Sequence, residues 1–503
     1  MDRNNMFKKV LISLCVMLLC AATQAAQPNV VFILADDMGV GDIQALYPEG
    51  KIKTPHLDSL AEGGMRFTDM HTGSAVCTPT RYTLLTGRFA WRTHLQEGVM
   101  WGASQPLIAE NRLTVADVFK EAGYNTACVG KWHLGLGWGK LEGDAETVEN
   151  IDHEAAITGG PNALGFDYFY GIPASLDMQP YVYVVNDRVE ALPTATTGGM
   201  NGKAFYRAGP MQPDFDHEQT LPVLKEKAIE WLQGQEKEEV PFFLYFPLPA
   251  PHTPILPTKE FQGKSGVNEY GDFVMQVDAL VGDVVKTLKA TGKFENTLFI
   301  FSTDNGCSPM ANFKEMKEKN HLPSGPYRGH KADIFEGGHR VPFIVHWPGV
   351  VEAGAESKQI LTQADFLATM AELVGQAVPD NASEDSLSFL AALKGNDDAP
   401  IHEAVVHHSI NGSFALRQGK WKLAFCPGSG GWSAPKPKDA RKQGLPEFQL
   451  YNLEEDPGET HNYYGKHPDV IEAMYQRMSN YIDHGRSTPG ARQPNDVVVK
   501  LIK

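Results

Sequence analysis

Short uninterrupted apolar runs alternate with amphipathic segments over the first 395 residues of the chain. The apolar runs do not alternate with polar residues, which is the pattern of strands buried on both faces. They are 30–35, 126–129, 242–246, 298–302 and 342–346. Between and after them, apolar residues recur at helical spacing in segments 113–122, 221–233, 269–290 and 365–374. Strands that alternate with helices predict a mostly parallel sheet covered by helices on both sides.

The pattern changes after about residue 395. Three short strand-like runs, 404–407, 413–417 and 420–425, are separated by the turns Asn411-Gly412 and Gln418-Gly419, which predicts an antiparallel meander. A glycine- and proline-rich loop over 427–438 and an amphipathic helix over 470–482 follow. We therefore predict an α/β fold: a large, mostly parallel or mixed sheet between helices over 26–395, with a smaller C-terminal α+β subdomain over 396–503 that contains an antiparallel sheet.

The first 25 residues have the pattern of an export signal. Arg3, Lys8 and Lys9 precede an apolar run over 10–20, and small residues at 23–25 suit cleavage before Ala26. The run is too short for a permanent membrane anchor, and no later run reaches about 18 apolar residues. We expect a periplasmic or secreted protein without a transmembrane segment. A lipid anchor on Cys20 is a less favoured alternative, because Leu18 and Leu19 are bulky.

Charge and cysteine content narrow the function classes. The formal net charge of the 503-residue chain is −16, which disfavours a broad nucleic-acid surface but leaves room for a small anionic substrate at a locally basic site. Two of the six cysteines lie in the predicted export segment, and the four that remain, Cys77, Cys128, Cys307 and Cys426, are too few and too scattered for a disulfide scaffold. Cys128 lies in an apolar run and is predicted to be core.

Acidic side chains follow two of the predicted strands. Asp36 and Asp37 come after the run 30–35, and Asp304 and Asn305 come after the run 298–302. Ligands collect at the carboxyl ends of strands in open α/β sheets, and adjacent carboxylates repel each other unless a cation lies between them. The set predicts a divalent cation site with oxygen ligands, for which calcium is favoured and magnesium remains open. The alternative is that each pair only caps a helix or makes a turn.

Basic side chains follow other predicted strands. Lys131 and His133 come after the run 126–129, His252 after 242–246, and Lys331 later in the chain. Any one of them alone would more often be a structural or surface residue. Their shared position after strands predicts a cationic pocket for a tetrahedral oxyanion beside the metal.

One cysteine lies in a position that favours reactivity. Pro79 suits the first turn of a helix, so that Cys77 is expected at or just before a helix N-terminus, where developing negative charge is stabilised. Arg81 lies one turn further along and can approach the same point. Spacing alone does not separate this interpretation from an ordinary buried cysteine before a helix.

The segment Cys77-x-Pro79-x-Arg81 with Leu85-Thr86-Gly87-Arg88 resembles the signature of the type I sulfatases, relatives of arylsulfatase A in the alkaline phosphatase superfamily. The resemblance extends over nearly the whole chain after residue 25 and includes further segments in the family's order. These are Asp36-Asp37-x-Gly39, Gly130-Lys131-Trp132-His133, His252, Asp304-Asn305-Gly306, Lys331 and the late segment 450–459. It implies an alkaline phosphatase-like fold and the hydrolysis of sulfate esters.

The resemblance also implies roles for the residues. A maturation enzyme would oxidise Cys77 to formylglycine, whose hydrate attacks sulfur with help from Arg81. The implied cation ligands are Asp36, Asp37, Asp304, Asn305 and residue 77. Lys131, His252 and Lys331 would hold the sulfate, His252 would protonate the leaving oxygen, and His133 would assist release of the sulfate.

The substrate is predicted only by class. We expect a sulfated carbohydrate, of the N-acetylgalactosamine-6-sulfate type, and the loop 430–433 resembles that of carbohydrate-directed relatives. Trp101 and Arg328 are the favoured substrate-binding side chains outside the sulfate pocket; other candidates for this subsite are His153, Gln179, Tyr181, His217 and Trp432. The alternatives are a phosphodiester or phosphonate monoester hydrolase of the same superfamily and a non-catalytic sulfated-glycan-binding protein.

Overall fold

The computed structural model describes residues 27–503. The predicted export segment, with Cys15 and Cys20, lies outside the described residues. None of the helices from residue 27 onward combines the length and the hydrophobicity that a bilayer-crossing segment requires.

A ten-stranded mixed sheet forms the centre of the molecule. In chain order its strands are β1 (Asn29–Ala35), β2 (Met65–Phe67), β3 (Asn125–Lys131), β4 (Tyr168–Ile172), β5 (Val184–Val185), β6 (Arg188–Val189), β7 (Phe242–Pro247), β8 (Thr297–Thr303), β9 (Phe343–His346) and β10 (Ala355–Ser357). Their order across the sheet is β10-β2-β9-β8-β1-β7-β3-β4-β5-β6. The five strands from β8 to β4 are mutually parallel, so their carboxyl ends lie at one edge.

Helices cover both faces of this sheet. They are α1 (Pro55–Glu62), α2 (Cys77–Thr86), α3 (Val115–Glu121), α4 (Thr220–Gly234), α5 (Glu269–Ala290), α6 (Phe313–Glu318), α7 (Glu336–His339), α8 (Asp365–Val374) and α9 (Leu390–Leu393). Along β1, Val30, Phe32 and Leu34 pack into the core on the side of α3 and α8. Val31 and Ile33 pack into the core on the side of α4 and α5. This burial on both faces explains why β1 reads as an uninterrupted apolar run.

The C-terminal part contains a second, antiparallel sheet. Its strands, in spatial and chain order, are β11 (Val405–His408), β12 (Phe414–Gln418), β13 (Trp421–Ala424) and β14 (Gln449–Asn452). The short helix α10 (Pro437–Lys442) lies in the β13–β14 connection, and α11 (Pro468–Asp483) packs Met474, Met478 and Ile482 against the sheet. Phe89 and Trp91, which follow α2, join the same core and anchor this part on the first.

The predicted fold class is confirmed, with several local differences. The run 342–346 is a strand, but it pairs antiparallel with β8. The strand β4 was not predicted, because Tyr168, Tyr170 and Gly171 interrupt its aliphatic pattern. The meander has a fourth strand, β14, which the sequence pattern did not predict. The boundary between 395 and 396 remains a prediction.

The aromatic packing around Phe32 provides a test of this core. Phe32 is fully buried, and its ring centroid lies 4.7 Å from that of Phe366 and 6.3 Å from that of Phe343. Phe32→Ala should reduce the free energy of unfolding by about 3–5 kcal/mol, through lost transfer energy and the cavity that remains. Thermal denaturation measures this change. Leu141→Ala, at a side chain that is 66% exposed, is the control and should change stability by less than about 0.5 kcal/mol. Equal midpoints for the two variants would contradict the packing described.

Candidate active site

The carboxyl ends of four neighbouring parallel strands bring the polar residues together. Asp36 follows β1, Lys131 ends β3, His252 follows β7 and Asp304 follows β8. All four are buried. Cys77 is the first residue of α2, and Val76, in extended conformation, precedes it. Cys77 is therefore at a helix start, where a negative charge on its side chain is favoured.

Arg81 connects these strand ends. Its guanidinium donates from Nη2 to Asp304 Oδ2 at 2.8 Å and to Asp36 Oδ2 at 3.4 Å. Its Nη1 donates to the carbonyl of Lys131 at 2.9 Å. The ammonium of Lys131 pairs with the carboxylate of Asp36 and donates to Ser175 Oγ at 2.9 Å. One fully buried guanidinium thus fixes the ends of β1, β3 and β8, and burial makes each of these charge-assisted bonds strong.

A second cation faces Cys77. Lys331 Nζ donates to Asp37 Oδ1 at 2.6 Å and lies 3.7 Å from Cys77 Sγ. His252 Nε2 lies 3.7 Å from the other oxygen of Asp37. Asp37 has φ = 69°, a left-handed conformation that is uncommon for a residue with a side chain. The sequence-predicted Cys77, Lys331 and His252 are therefore brought to one point around Asp37.

Several buried oxygens at this point have no hydrogen-bond partner among the described residues. They are Asp36 Oδ1, Asp37 Oδ2 and Asn305 Oδ1. Ligand atoms of Asp36, Asp37, Cys77 and His252 also lie within 4.8 Å of one another. Buried carboxylate and amide oxygens without partners are costly, and oxygen is the ligand type that hard divalent cations prefer. The residues present fit a divalent cation, with Asp36, Asp37, Asn305 and Asp304 around it.

The charges at the site perturb the carboxylates in opposite directions. Burial alone would raise the pKa of Asp36, but Lys131, His252 and Arg81 outweigh it and leave this pKa well below its usual value. Burial and the negative charge of Asp36 raise the pKa of Asp304 to about 6, although Arg81 acts to lower it. The repulsion between these two carboxylates is what a bound cation would relieve.

The two histidines differ in protonation. Burial and Lys331 lower the pKa of His252, yet Asp37 and Asp36 overcome them and raise it to about 9. Burial, Lys131 and Arg81 hold the pKa of His133 well below its usual value. His133 Nε2 lies 2.9 Å from the carbonyl of Met100 and donates to it, which leaves Nδ1 with a lone pair that no residue in the described part of the chain engages. The carboxylates that raise the pKa of His252 are also candidate cation ligands, whereas His133 keeps an acceptor nitrogen without a partner among the described residues.

Ser175 was missed by the sequence analysis. Its hydroxyl accepts from Lys131 and lies 3.4 Å from both ring nitrogens of His252, so that it links the two residues. It lies three residues after the end of β4. The rule that polar residues after strand ends belong to the site would have found it, had the strand been predicted.

A cavity of about 350 Å³ opens from this site. It is lined by Cys77, His133, Ser175, His252 and Lys331 on one side and by largely apolar side chains elsewhere, which include Trp101, Phe205, Met310 and Trp432. Such a division into a polar end and an apolar wall is typical of small-molecule sites.

Other substrate-binding candidates lie away from the cavity wall. Arg328 donates to the carbonyl of Glu459 at 2.8 Å and stacks on Phe335, away from the cavity wall, and its contact with substrate stays a prediction. His217 stacks on Tyr206 at 3.8 Å, and His153 packs against Trp138. The remaining two, Gln179 and Tyr181, are likewise absent from the wall.

A second buried cluster contains possible metal ligands: His71, Glu336, His339 and His407. Here the chain already supplies a cation. Lys422 Nζ, from the antiparallel sheet, lies 3.0 Å from Glu336 Oε1 and 3.0 Å from His339 Nε2. The cluster therefore pairs the two parts of the chain through an internal ammonium.

Comparison with known proteins agrees with this geometry. A family model described as Sulfatase matches residues 28–376. An N-acetylgalactosamine-6-O-sulfatase of Bacteroides thetaiotaomicron is 32% identical over 493 residues, which covers 90% of this chain and 93% of that protein. Human arylsulfatase A is 31% identical over 496 residues and covers 92% and 89%, respectively.

A solved structure, described by its role in the metabolism of multiple glycosaminoglycans by Bacteroides thetaiotaomicron, is also similar to this chain. It superposes with a TM-score of 0.80 at 31% identity and covers 91% of this chain and 99% of its own. The resemblance deduced from the cysteine motif is confirmed, and the phosphoesterase and non-catalytic alternatives are set aside. The chain belongs to the sulfatase family, a metal-dependent family, and is a sulfuric ester hydrolase.

Proposed function

We propose that the enzyme removes the 6-sulfate from a sulfated hexosamine of the N-acetylgalactosamine type, with a formylglycine made from Cys77 as nucleophile and calcium as the cation. The observation that carries the proposal is the position of Cys77. It begins a buried helix, with Lys331 Nζ at 3.7 Å and with Asp36, Asp37 and His252 around it. The substrate is taken from the name of a relative that is 32% identical over 90% of this chain, an N-acetylgalactosamine-6-O-sulfatase.

A formylglycine suits this position better than a thiol. The hydrated aldehyde carries two hydroxyls on one carbon, and the helix start and Lys331 favour negative charge on either oxygen. A hydroxyl attacks sulfur, so that a new oxygen–sulfur bond forms while the ester bond between sulfur and the sugar oxygen breaks. The second hydroxyl remains available to release sulfate afterwards.

Calcium is the favoured cation because the candidate ligands are carboxylate and amide oxygens, from Asp36, Asp37, Asp304 and Asn305. When bound, it supplies a positive charge that lowers the pKa of the attacking hydroxyl and stabilises charge on the sulfate. Magnesium is the less favoured alternative, since it demands a stricter octahedral geometry.

The surrounding cations bind the sulfate and prepare the leaving group. Lys131 and Lys331 are buried and point at the carboxylates beside Cys77, from where they neutralise sulfate oxygens. His252, which lies 3.7 Å from Asp37 and lines the cavity, would carry the proton that the departing sugar oxygen needs. Ser175, bonded to Lys131 and within 3.4 Å of His252, keeps the two groups at a fixed spacing.

His133 completes the cycle. Its neutral ring has Nδ1 free because Nε2–H donates to Met100, and this nitrogen takes the proton of the second hydroxyl. The carbon–oxygen bond to sulfate then breaks, sulfate leaves, and the aldehyde forms again. Water rehydrates it for the next turnover. A serine at this position would lack the second hydroxyl and would stay sulfated.

Export and maturation belong to the same proposal. Residues 1–25 would direct the chain to the periplasm or out of the cell. A formylglycine-generating or equivalent enzyme would have to act on Cys77 while it is accessible, because in the folded chain this residue is only 2% exposed.

Replacement of Cys77 tests the nucleophile. Cys77→Ala should lower kcat on the order of 10³-fold or more, since every bond-forming step uses this side chain. Cys77→Ser should give at most a single turnover, visible as a burst of sugar release without continued sulfate release. Steady-state and quenched-flow assays measure both. The wild-type peptide that contains residue 77 should have the mass of the aldehyde. A thiol mass in fully active enzyme would refute the formylglycine.

Calcium binding can be measured without turnover. Removal of divalent ions should lower Tm, and calcium at 100 times its Kd should restore about 2.7 kcal/mol of stability, because only the folded chain assembles the ligands. Asn305→Ala should weaken this response, whereas Glu142→Gln, at an exposed carboxylate outside the site, should retain it. A Tm that does not respond to calcium but responds to magnesium would assign the site to magnesium.

A further inference from the structure

The C-terminal sheet contributes one side chain to the catalytic cavity. Trp432 lies in the long β13–β14 connection and lines the same cavity as Cys77, His252 and Lys331. It is 41% exposed, although a side chain of this size is usually well buried. Trp101 lines the same cavity and is 52% exposed. Two large aromatic rings are therefore left open to solvent at the mouth of the active site.

A single buried carboxylate holds the Trp432 loop. Asp333 Oδ1 accepts from the backbone N–H of Trp432 and of Ser433, each at 2.9 Å. The Ser433 hydroxyl donates to the other oxygen of Asp333 and lies 2.9 Å from His330 Nε2. Asp333 is fully buried, so that these charge-assisted bonds are protected from water. They fix the backbone on both sides of the Trp432 indole.

The backbone of the Trp432 loop also packs closely against the segment that contains Asp333. Ile334 N–H donates to the carbonyl of Ser429 at 2.8 Å. A Cβ on Gly431 would lie 2.2 Å from the carbonyl oxygen of Ala332, so only glycine fits at this approach. The segment that receives the loop also contains Lys331, the lysine that contacts Asp37 and Cys77. The position of Trp432 is thus set relative to the sulfate-binding lysine.

The ring of Trp101 is contacted by a guanidinium. The guanidinium of Arg207 lies 4.9 Å from the centre of the Trp101 ring and 5.0 Å from that of Phe205. Its Nη1 donates to the carboxylate and the carbonyl of Asp177. Nε and Nη2 of Arg207 have no hydrogen-bond acceptor among the described residues. The Arg207 side chain is 33% exposed and lines the cavity. Two oriented donors are therefore available next to an aromatic face.

We propose that Trp101 and Trp432 form the walls that bind the sugar ring, that Arg207 donates to an oxygen of that sugar, and that Asp333 is a positioning residue for Trp432. Sugars present apolar C–H faces and polar edges together, which matches exposed aromatic rings beside unused guanidinium donors. The ligand class is a pyranose that carries the sulfate. The inference rests on the proposed function, since it assigns the sugar half of the same site.

Two substrates separate sugar recognition from sulfate chemistry. N-acetylgalactosamine 6-sulfate requires both halves of the site, whereas 4-nitrophenyl sulfate has no hydroxyl or acetamido group for Arg207. Arg207→Met should lower kcat/KM for the sugar sulfate about 10-fold, mainly through KM, and should affect the aryl sulfate at least 5-fold less. Arg441→Met is the matched control, because Arg441 pairs with Glu447 outside the cavity wall. Equal losses on both substrates would overturn the role of Arg207.

A double-mutant cycle tests Asp333. Trp432→Ala should raise KM for the sugar sulfate about 10-fold, and Trp432→Phe should recover part of it. Asp333→Asn should also raise this KM, but in the Trp432→Ala background it should add less than about 2-fold. A full additional loss in that background would show that Asp333 does not act through Trp432. If Asp333→Asn does not fold, Trp432→Ala with unchanged KM would still overturn the aromatic wall.

Failure of the proposed function gives a different result. Wild-type enzyme that cleaves the aryl sulfate but not the 6-sulfated sugar refutes the assigned substrate. The variants are then compared on whichever sulfated monosaccharide the enzyme cleaves. If it cleaves none while it remains active on the aryl sulfate, the sugar-binding walls are refuted as well.

Discussion

The buried guanidinium of Arg81 is the constraint on which the active site depends. It binds the carboxylates of Asp36 and Asp304 and the carbonyl of Lys131, and so joins the carboxyl ends of three parallel strands. Buried charges are tolerated only when they are paired and hydrogen-bonded. Each of these groups therefore restricts the others, and the strand ends cannot separate without exposure of an unpaired charge. The sheet supplies the positions, and Arg81 fixes them.

This network leaves carboxylate oxygens without a hydrogen-bond partner among the described residues, and such oxygens suit a bound cation. Lys131, Lys331 and Arg81 each bind one oxygen of Asp36, Asp37 or Asp304. Asp36 Oδ1 and Asp37 Oδ2 are buried and have no partner among residues 27–503. A cation would complete them, and Lys331, which also lines the cavity, faces the side chain of Cys77. By contrast, both carboxylate oxygens of Glu336 in the other polar cluster accept hydrogen bonds, one from Lys422 and one from Arg340. The two clusters therefore differ in that carboxylate oxygens at the active site have no partner among the described residues, whereas each oxygen of Glu336 has one.

The sequence predicts those parts of the molecule that depend on local pattern. Strand β1 is buried on both faces, so an apolar run followed by Asp36 located both the strand and the site. Ser175 was missed because the preceding strand contains tyrosines and a glycine, and its burial depends on tertiary contacts. Asp333 was missed because its partners lie about 100 residues away, at Trp432 and Ser433. Arg328 follows β8, the strand that precedes Asp304, but its side chain donates to the carbonyl of Glu459 and does not line the cavity.

The two halves of the cavity differ in how they are constrained. The sulfate half is made of strand ends and a helix start, in which a changed side chain leaves a buried charge unpaired. The half that we propose for the sugar is made of loops, where Trp101 and Trp432 are half exposed. The Arg207 guanidinium lies over the Trp101 ring, and the carboxylate of Asp333 binds the backbone of Trp432. Loss of an exposed aromatic ring removes contact area but leaves no buried charge unpaired. On our proposal, a change of Trp101 or Trp432 therefore alters the sugar-binding wall while the ion pairs of Arg81 stay intact.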